Sequence, residues 1–222
     1  WYYLNSRDLP WRRTKDPYLV WLSEIIMQQT RISQGLPYYN RFAAAYPAVA
    51  DLAGADEQDI LKLWQVLGYY SRARNMLETA RMIRDRYDGV FPCTYDSIRS
   101  LKGVGEYTAA AIASISFGLP CPVVDGNVMR FVARLYGIWE PVDRPATRKK
   151  IHALAAGLLD PLHPGDFNQA MMEFGALVCT PDPSCQTCIF RQRCEAFLRG
   201  ATGSIPSKAA KVRVQHRHIH YL

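Results

Sequence analysis

Apolar side chains recur along this chain mostly at helical spacing. In the stretch YLVWLSEIIMQQTRISQG, from Tyr18 to Gly35, Leu22, Ile25, Ile26, Ile32 and Leu36 just beyond it fall on one face of a helical wheel. Glu24, Gln28 and Arg31 form a stripe on the other face, flanked by Val20, Trp21 and Met27. Asp16 followed by Pro17 reads as an N-cap and a first helical residue, so the pattern predicts one helix from Tyr18 to about Gly35. Further helical periods run over Glu57–Leu67, Ser71–Tyr87, Tyr95–Leu101, Tyr107–Phe117, Asn127–Tyr136, Ala146–Leu159 and Asp166–Val178. Breaks are expected at Pro37, Pro47, Gly68, Gly89, Pro92, Gly118–Pro120, Pro141 and Pro161. Strand-like alternation appears only at the end, in VRVQHRHIHYL, after a linker-like stretch from Thr202 to Lys211. The fold class is therefore all-α, with that last stretch read as the first strand of a further domain.

Composition narrows the picture in two places. The 222 residues carry a formal charge of +7, which suits a polyanionic partner such as nucleic acid. No apolar run approaches the ~18 residues of a membrane span, and no signal-peptide pattern is visible, so no membrane partner is expected. Four of the six cysteines crowd into one stretch, Cys179, Cys185, Cys188 and Cys194. That asymmetry argues against a general disulfide framework and for a local metal or cluster site in a reducing compartment. Zinc ribbons usually show two CxxC or CxxH pairs, and here there is one, which favours an iron–sulfur cluster.

Chemistry is suggested at three further points. LKGVGEYTAAAI joins a short helix to a long one through Gly103 and Gly105. Exposed backbone N–H groups and a helix N-terminus there make an anion site. With no preceding strand, no GxGxxG and no GK[ST], a DNA backbone phosphate fits better than a nucleotide, and a plain helical hairpin remains the alternative. Glu24 sits among apolar neighbours, so its pKa should be raised, as a general acid requires, unless it is solvated or paired with Arg31. Asp125 precedes a helix that starts near Asn127, where a carboxylate would cap and be held in place.

LKGVGEYTAAAI resembles the helix–hairpin–helix of the endonuclease III superfamily of DNA glycosylases. In that family an aspartate follows about twenty residues later, where Asp125 stands in VVDGNVMR, and four cysteines near the C-terminal end hold a [4Fe–4S] cluster. The resemblance covers about Leu9 to Phe197, and SEIIMQQTR is similar to the MutY-type adenine glycosylases within the superfamily. It implies a six-helix lobe over 17–125, a cluster lobe built from 1–16 with 126–204, and a linker with the start of a further domain over 205–222. It implies that Glu24 protonates adenine, that Asp125 stabilises the sugar cation, and that Asn127 orients Asp125 or holds the attacking water. Bifunctional lyase members carry a lysine where Tyr107 stands, so a monofunctional glycosylase is expected.

The same resemblance marks MQQTR and GYYSR as minor-groove wedges, with Gln29 and Tyr69 inserting and Gln28, Thr30 and Arg72 beside them. By periodicity alone Gln29 falls on the apolar face, where it would be a core amide, and Tyr69 would be a capping contact. LPWRRTKDPY, with Leu9, Trp11 and Arg12, resembles the adenine pocket, and Gln169 a further pocket position. A solvated basic stretch is the alternative for the former. Cysteine spacing departs from the family at the first gap, five residues instead of six. The implied activity is removal of adenine opposite 8-oxoguanine or guanine from mismatched double-stranded DNA, by a monomer. Removal of another mismatched base, such as thymine opposite guanine, and non-catalytic binding of damaged DNA are the alternatives.

Overall fold

A computed structural model describes residues 1–210. Those residues are all-helical, with α1 Tyr2–Asn5, α2 Pro17–Met27, α3 Ile32–Ala45, α4 Val49–Gly54, α5 Glu57–Leu63, α6 Ser71–Arg86, α7 Tyr95–Arg99, α8 Glu106–Phe117, α9 Gly126–Leu135, α10 Pro145–Leu158, α11 Pro164–Leu177 and α12 Glu195–Leu198. No helix among them is long and apolar enough to cross a membrane.

The start of α2 is fixed locally: Asp16 accepts a hydrogen bond from the Tyr18 N–H at 2.8 Å, and Pro17 gives up no donor in the first turn. Its end is not local. Where the apolar period predicts one helix to Gly35, the chain leaves the helix at Gln28 and re-enters it at Ile32. The carbonyls of Ile25, Ile26 and Gln28 are taken by the Arg72 guanidinium, a donor from far along the chain that offers the helix end an alternative to continuing. The expected break at Pro37 is likewise absent. Pro37 lies inside α3, where the carbonyl it leaves free belongs to exposed Ser33 and can turn to water.

Two apolar cores form. Trp21, Leu22, Ile26, Phe42, Leu52, Ile60, Trp64, Met76, Ile98 and Ile112 fill the first, drawn from α2 to α8. Val128, Phe131, Ile138, Ile151, Met171, Phe174 and Ile205 fill the second. The N-terminal segment joins the second, with Trp1 set edge-on to Phe174 at 5.1 Å. The two meet where α11 packs on α8 and α9. Glycine makes that approach close: a Cβ on Gly175 would lie 2.7 Å from the Asn127 carbonyl oxygen, and one on Gly165 2.8 Å from the backbone of Ile115.

The stretch read as a linker is docked as far as Ala209. Ile205 is buried, Ser207 accepts from the Val142 N–H at 3.0 Å, and the Ala209 N–H donates to Asp143 at 2.9 Å. A single buried isoleucine and backbone pairing with the 139–143 loop carry no periodic signal, so composition alone reads the segment as free. The expected strand, with His216, His218 and His220, lies outside the described residues.

Candidate active site

The hairpin between α7 and α8 opens toward solvent. Thr94 caps α7, Val104 anchors the turn in the first core, and Gly103 takes φ 76°, a left-handed conformation natural only to glycine. Gly105 has an ordinary backbone conformation, is exposed, and a Cβ added to it would meet nothing within 4 Å. Nothing inside the protein calls for glycine there. An external backbone approaching the free N–H groups of the first turn of α8 would.

At the second residue of α8, Tyr107 enters a cleft of about 300 Å³ that Glu24, Asp125, Asn127, Leu9, Trp11, Arg12, Thr30 and Gln169 also line. The volume is at the lower end for a small-ligand site and suits a single base. Burial pushes the Glu24 carboxyl up to about 7; the Tyr107 hydroxyl facing it lowers it in part, and the Asp125 charge raises it. Tyr107 is itself raised well above the usual phenol range, chiefly by burial and then by the two carboxylates, and its hydroxyl donates to Met172 Sδ at 3.4 Å. Arg31 is not Glu24's partner, because the helix ends before it and the stripe Glu24–Gln28–Arg31 does not form.

Asp125 caps α9, accepting from the Val128 N–H at 2.7 Å and from Asn127 Nδ2 at 2.8 Å. Burial raises its pKa while these bonds and Arg130 oppose the rise. Asn127 accepts in turn from Arg130 Nη2 at 2.9 Å, and Arg130 donates to the carbonyls of Gly175 and Cys179, each at 2.7 Å. A hydrogen-bonded chain thus runs from the Asp125 carboxylate to the first cysteine of the loop.

Glu173 is the site residue that sequence reasoning missed. Fully buried, it lines the same cleft and receives Arg7 and Arg12 at 2.6 and 2.7 Å. Burial opposes its ionisation, yet the two guanidiniums hold its pKa down at about 2. The available signal was that Glu173 lies one turn beyond Gln169 on the same helix face. Arg12 is thereby ordered, not solvated. Trp11 packs edge-on to Tyr39 at 5.0 Å, and Gln169 accepts from the Tyr2 hydroxyl at 3.3 Å.

Gln29 and Tyr69 project from two neighbouring loops, both exposed and both at positive φ, 53° and 48°. Gln29 is therefore not a core amide, because α2 stops before periodicity could bury it. Thr30 donates to the Gln28 carbonyl at 3.2 Å and closes the first of these loops. Arg72 is not a free cation beside them; its Nη donors go to backbone carbonyls and to Thr30.

Cys179, Cys185, Cys188 and Cys194 line one apolar cavity with Phe131, Phe174, Phe190, Phe197 and Arg134. Buried Arg134 donates to Cys179 Sγ at 3.5 Å and to the carbonyls of Thr180 and Pro181 at 2.6 and 2.9 Å. Among the described residues no three Cys, His, Asp or Glu side chains converge as one ion requires. A single tetrahedral zinc, at ~2.3 Å from each sulfur, would draw four thiolates within about 4 Å of one another. Four thiols around a shared cavity beside a buried cation are a donor set suited to an anionic metal centre.

Comparison with known proteins agrees with this geometry. Residues 22–157 match the family model of the HhH-GPD superfamily base excision DNA repair proteins. The chain is 42% identical to the adenine DNA glycosylase of Homo sapiens over 90% of its own length and 38% of that protein's. It is 40% identical to that of Buchnera aphidicola (Schizaphis graminum), over 95% and 61%. It therefore spans from about two fifths to three fifths of these relatives. A thermostable thymine-DNA glycosylase superposes with a TM-score of 0.82 at 30% identity, covering 89% of this chain and 92% of that one. An endonuclease III from a DNA complex superposes at 0.71 and 23% identity, covering 83% and 86%, a likeness of fold.

Proposed function

Because the chain belongs to the HhH-GPD superfamily of base excision DNA repair proteins, we propose that it hydrolyses the N-glycosidic bond of adenine mispaired with 8-oxoguanine or guanine in double-stranded DNA. The observation that carries this reading is the pairing in one cleft of an acid poised near pH 7, Glu24, with a capped carboxylate, Asp125. Protonation of the adenine ring by Glu24 lets the base leave with the bonding electrons. The sugar is left as an oxocarbenium ion, which the Asp125 carboxylate stabilises until water adds to C1′ and loses its proton. Asn127 holds Asp125 through the 2.8 Å bond, so of its two expected roles orientation is the one assigned. Tyr107 offers no amine for a Schiff base, so the product is an abasic site in an uncut strand.

In this reading DNA lies across the cleft between residues 17–125 and the unit formed by 1–16 with 126–204. The hairpin N–H groups take a backbone phosphate, and Gln29 and Tyr69 fill the space that the extruded base leaves. Cys179, Cys185, Cys188 and Cys194 would hold a [4Fe–4S] cluster, its negative charge offset by Arg134. Such a cluster supplies a rigid anchor for its loop.

Removal of thymine opposite guanine is the second reading, favoured by the 0.82 likeness to a thymine-DNA glycosylase. Glu24 weighs against it, because thymine offers no basic ring nitrogen for an acid of pKa about 7 to protonate, whereas adenine does. The deciding experiment is a single-turnover assay on a labelled duplex carrying adenine opposite 8-oxoguanine, with and without hot alkali. Breaks only after alkali support monofunctional adenine excision. Breaks without alkali overturn the role given to Tyr107. Release only of thymine opposite guanine selects the second reading, and no release of either base leaves a binding protein.

A further inference from the structure

The Arg72 guanidinium is half-buried at the start of α6, stacked against the rings of Trp64 and Tyr69 at 5.1 and 5.6 Å. Its Nη1 reaches the carbonyls of Ile25, Ile26 and Gln28 at 3.2, 3.1 and 2.5 Å, and Thr30 Oγ1 at 3.4 Å. Its Nη2 reaches the Gly68 carbonyl at 3.3 Å. The first set closes the C-terminus of α2, where carbonyls lack helical partners and a cation is favoured. It also grips the residues on both sides of Gln29. The second grips the residue before Tyr69. Trp64, itself fully buried, donates from Nε1 to the same Gly68 carbonyl at 2.9 Å, which ties the arrangement to the first core.

We propose that Arg72 is a positioning residue that fixes the spacing between Gln29 and Tyr69, so that the two enter the duplex as one rigid tool and extrusion of the base depends on it. This rests on the proposed insertion of both loops into DNA. Neither backbone conformation is common outside glycine, so each loop needs an external tie to stay in it. Only a planar fork of several donors spans two loops at once; a lysine ammonium at the same place is a single point. With its Nη donors committed to protein, Arg72 has little to offer a phosphate.

The test uses the full chain, with 2-aminopurine replacing the target adenine so that its fluorescence reports extrusion. Gln29→Ala and Tyr69→Ala are made singly and together, in the Arg72 protein and in R72K. With Arg72 present, the two losses in extrusion should be strongly non-multiplicative, as for parts of one device. In R72K the coupling should vanish and extrusion should fall about tenfold or more. The salt dependence of DNA affinity separates this from phosphate contact: R72M should leave the slope of log Kd against log salt unchanged, whereas loss of a phosphate contact lowers it by about 1.

Coupling that survives in R72K, or a lowered slope in R72M, overturns the proposal. If the alanine variants extrude normally, the insertion reading falls and this proposal with it. If they are impaired and R72K is not, only this proposal falls. Circular dichroism and thermal melting of R72K and R72Q accompany the assay, and failure of both to fold would make Arg72 a general structural residue and overturn the positioning role.

Discussion

Glu24 is an acid whose folded-state pKa, about 7, lies above its ordinary value, so its protonated form is present below pH 7 and is lost as pH rises through it. Single-turnover excision should therefore fall about tenfold per pH unit above 7. In Glu24→Gln the rate should drop by roughly 10²–10⁴ and the alkaline limb should flatten. A pH–rate profile of both proteins checks this. Glu173 has the opposite sign. Its depressed pKa contributes stability that is present above the ordinary carboxylate range and lost as pH falls toward 2. Glu173→Ala leaves Arg12 in a buried site without its counter-charge and should cost about 3 kcal/mol by chemical denaturation, less what water returns at the more exposed Arg7. Glu24 and Asp125 were legible in the sequence because apolar neighbours and capping position each leave a local mark. Glu173 left only its spacing from Gln169 as a mark, because its ion partners stand 161 and 166 residues away.

At the scale of elements, two glycines make opposite predictions. Gly105→Ala adds a methyl group where the protein has open space, so thermal stability should change by no more than about 0.5 kcal/mol while affinity for DNA falls. Gly175→Ala drives a methyl group into the Asn127 carbonyl, at the start of the helix that Asp125 caps. It should cost about 1–3 kcal/mol in melting experiments and slow excision as well. Capped or periodic helices such as α2, α6 and α8 could be placed from sequence, though α2 only at its start. Its end depends on Arg72, which no window over residues 18–35 contains, and Ile205 docks the tail without any period at all.

For the whole molecule, the second core is built around the cysteine cavity, with Phe131, Phe174 and Phe190 mutually packed at 5.1–5.2 Å beside it. If the four cysteines hold the proposed iron–sulfur cluster, the protein should absorb at about 400 nm, and stripping iron with a chelator should abolish that absorbance and raise amide hydrogen exchange in α9 and α11, with the α2–α8 core protected longer. The same arrangement bears on synthesis. Residues of the first core are contiguous and can pack as they leave the ribosome. The Arg7 and Arg12 side chains meet Glu173 only after some 160 further residues have been added. At about 5–20 residues per second that delay is on the order of ten to thirty seconds. During it the two guanidiniums lack the counter-charge that Glu173 supplies, so this side of the cleft closes only after the first core can pack.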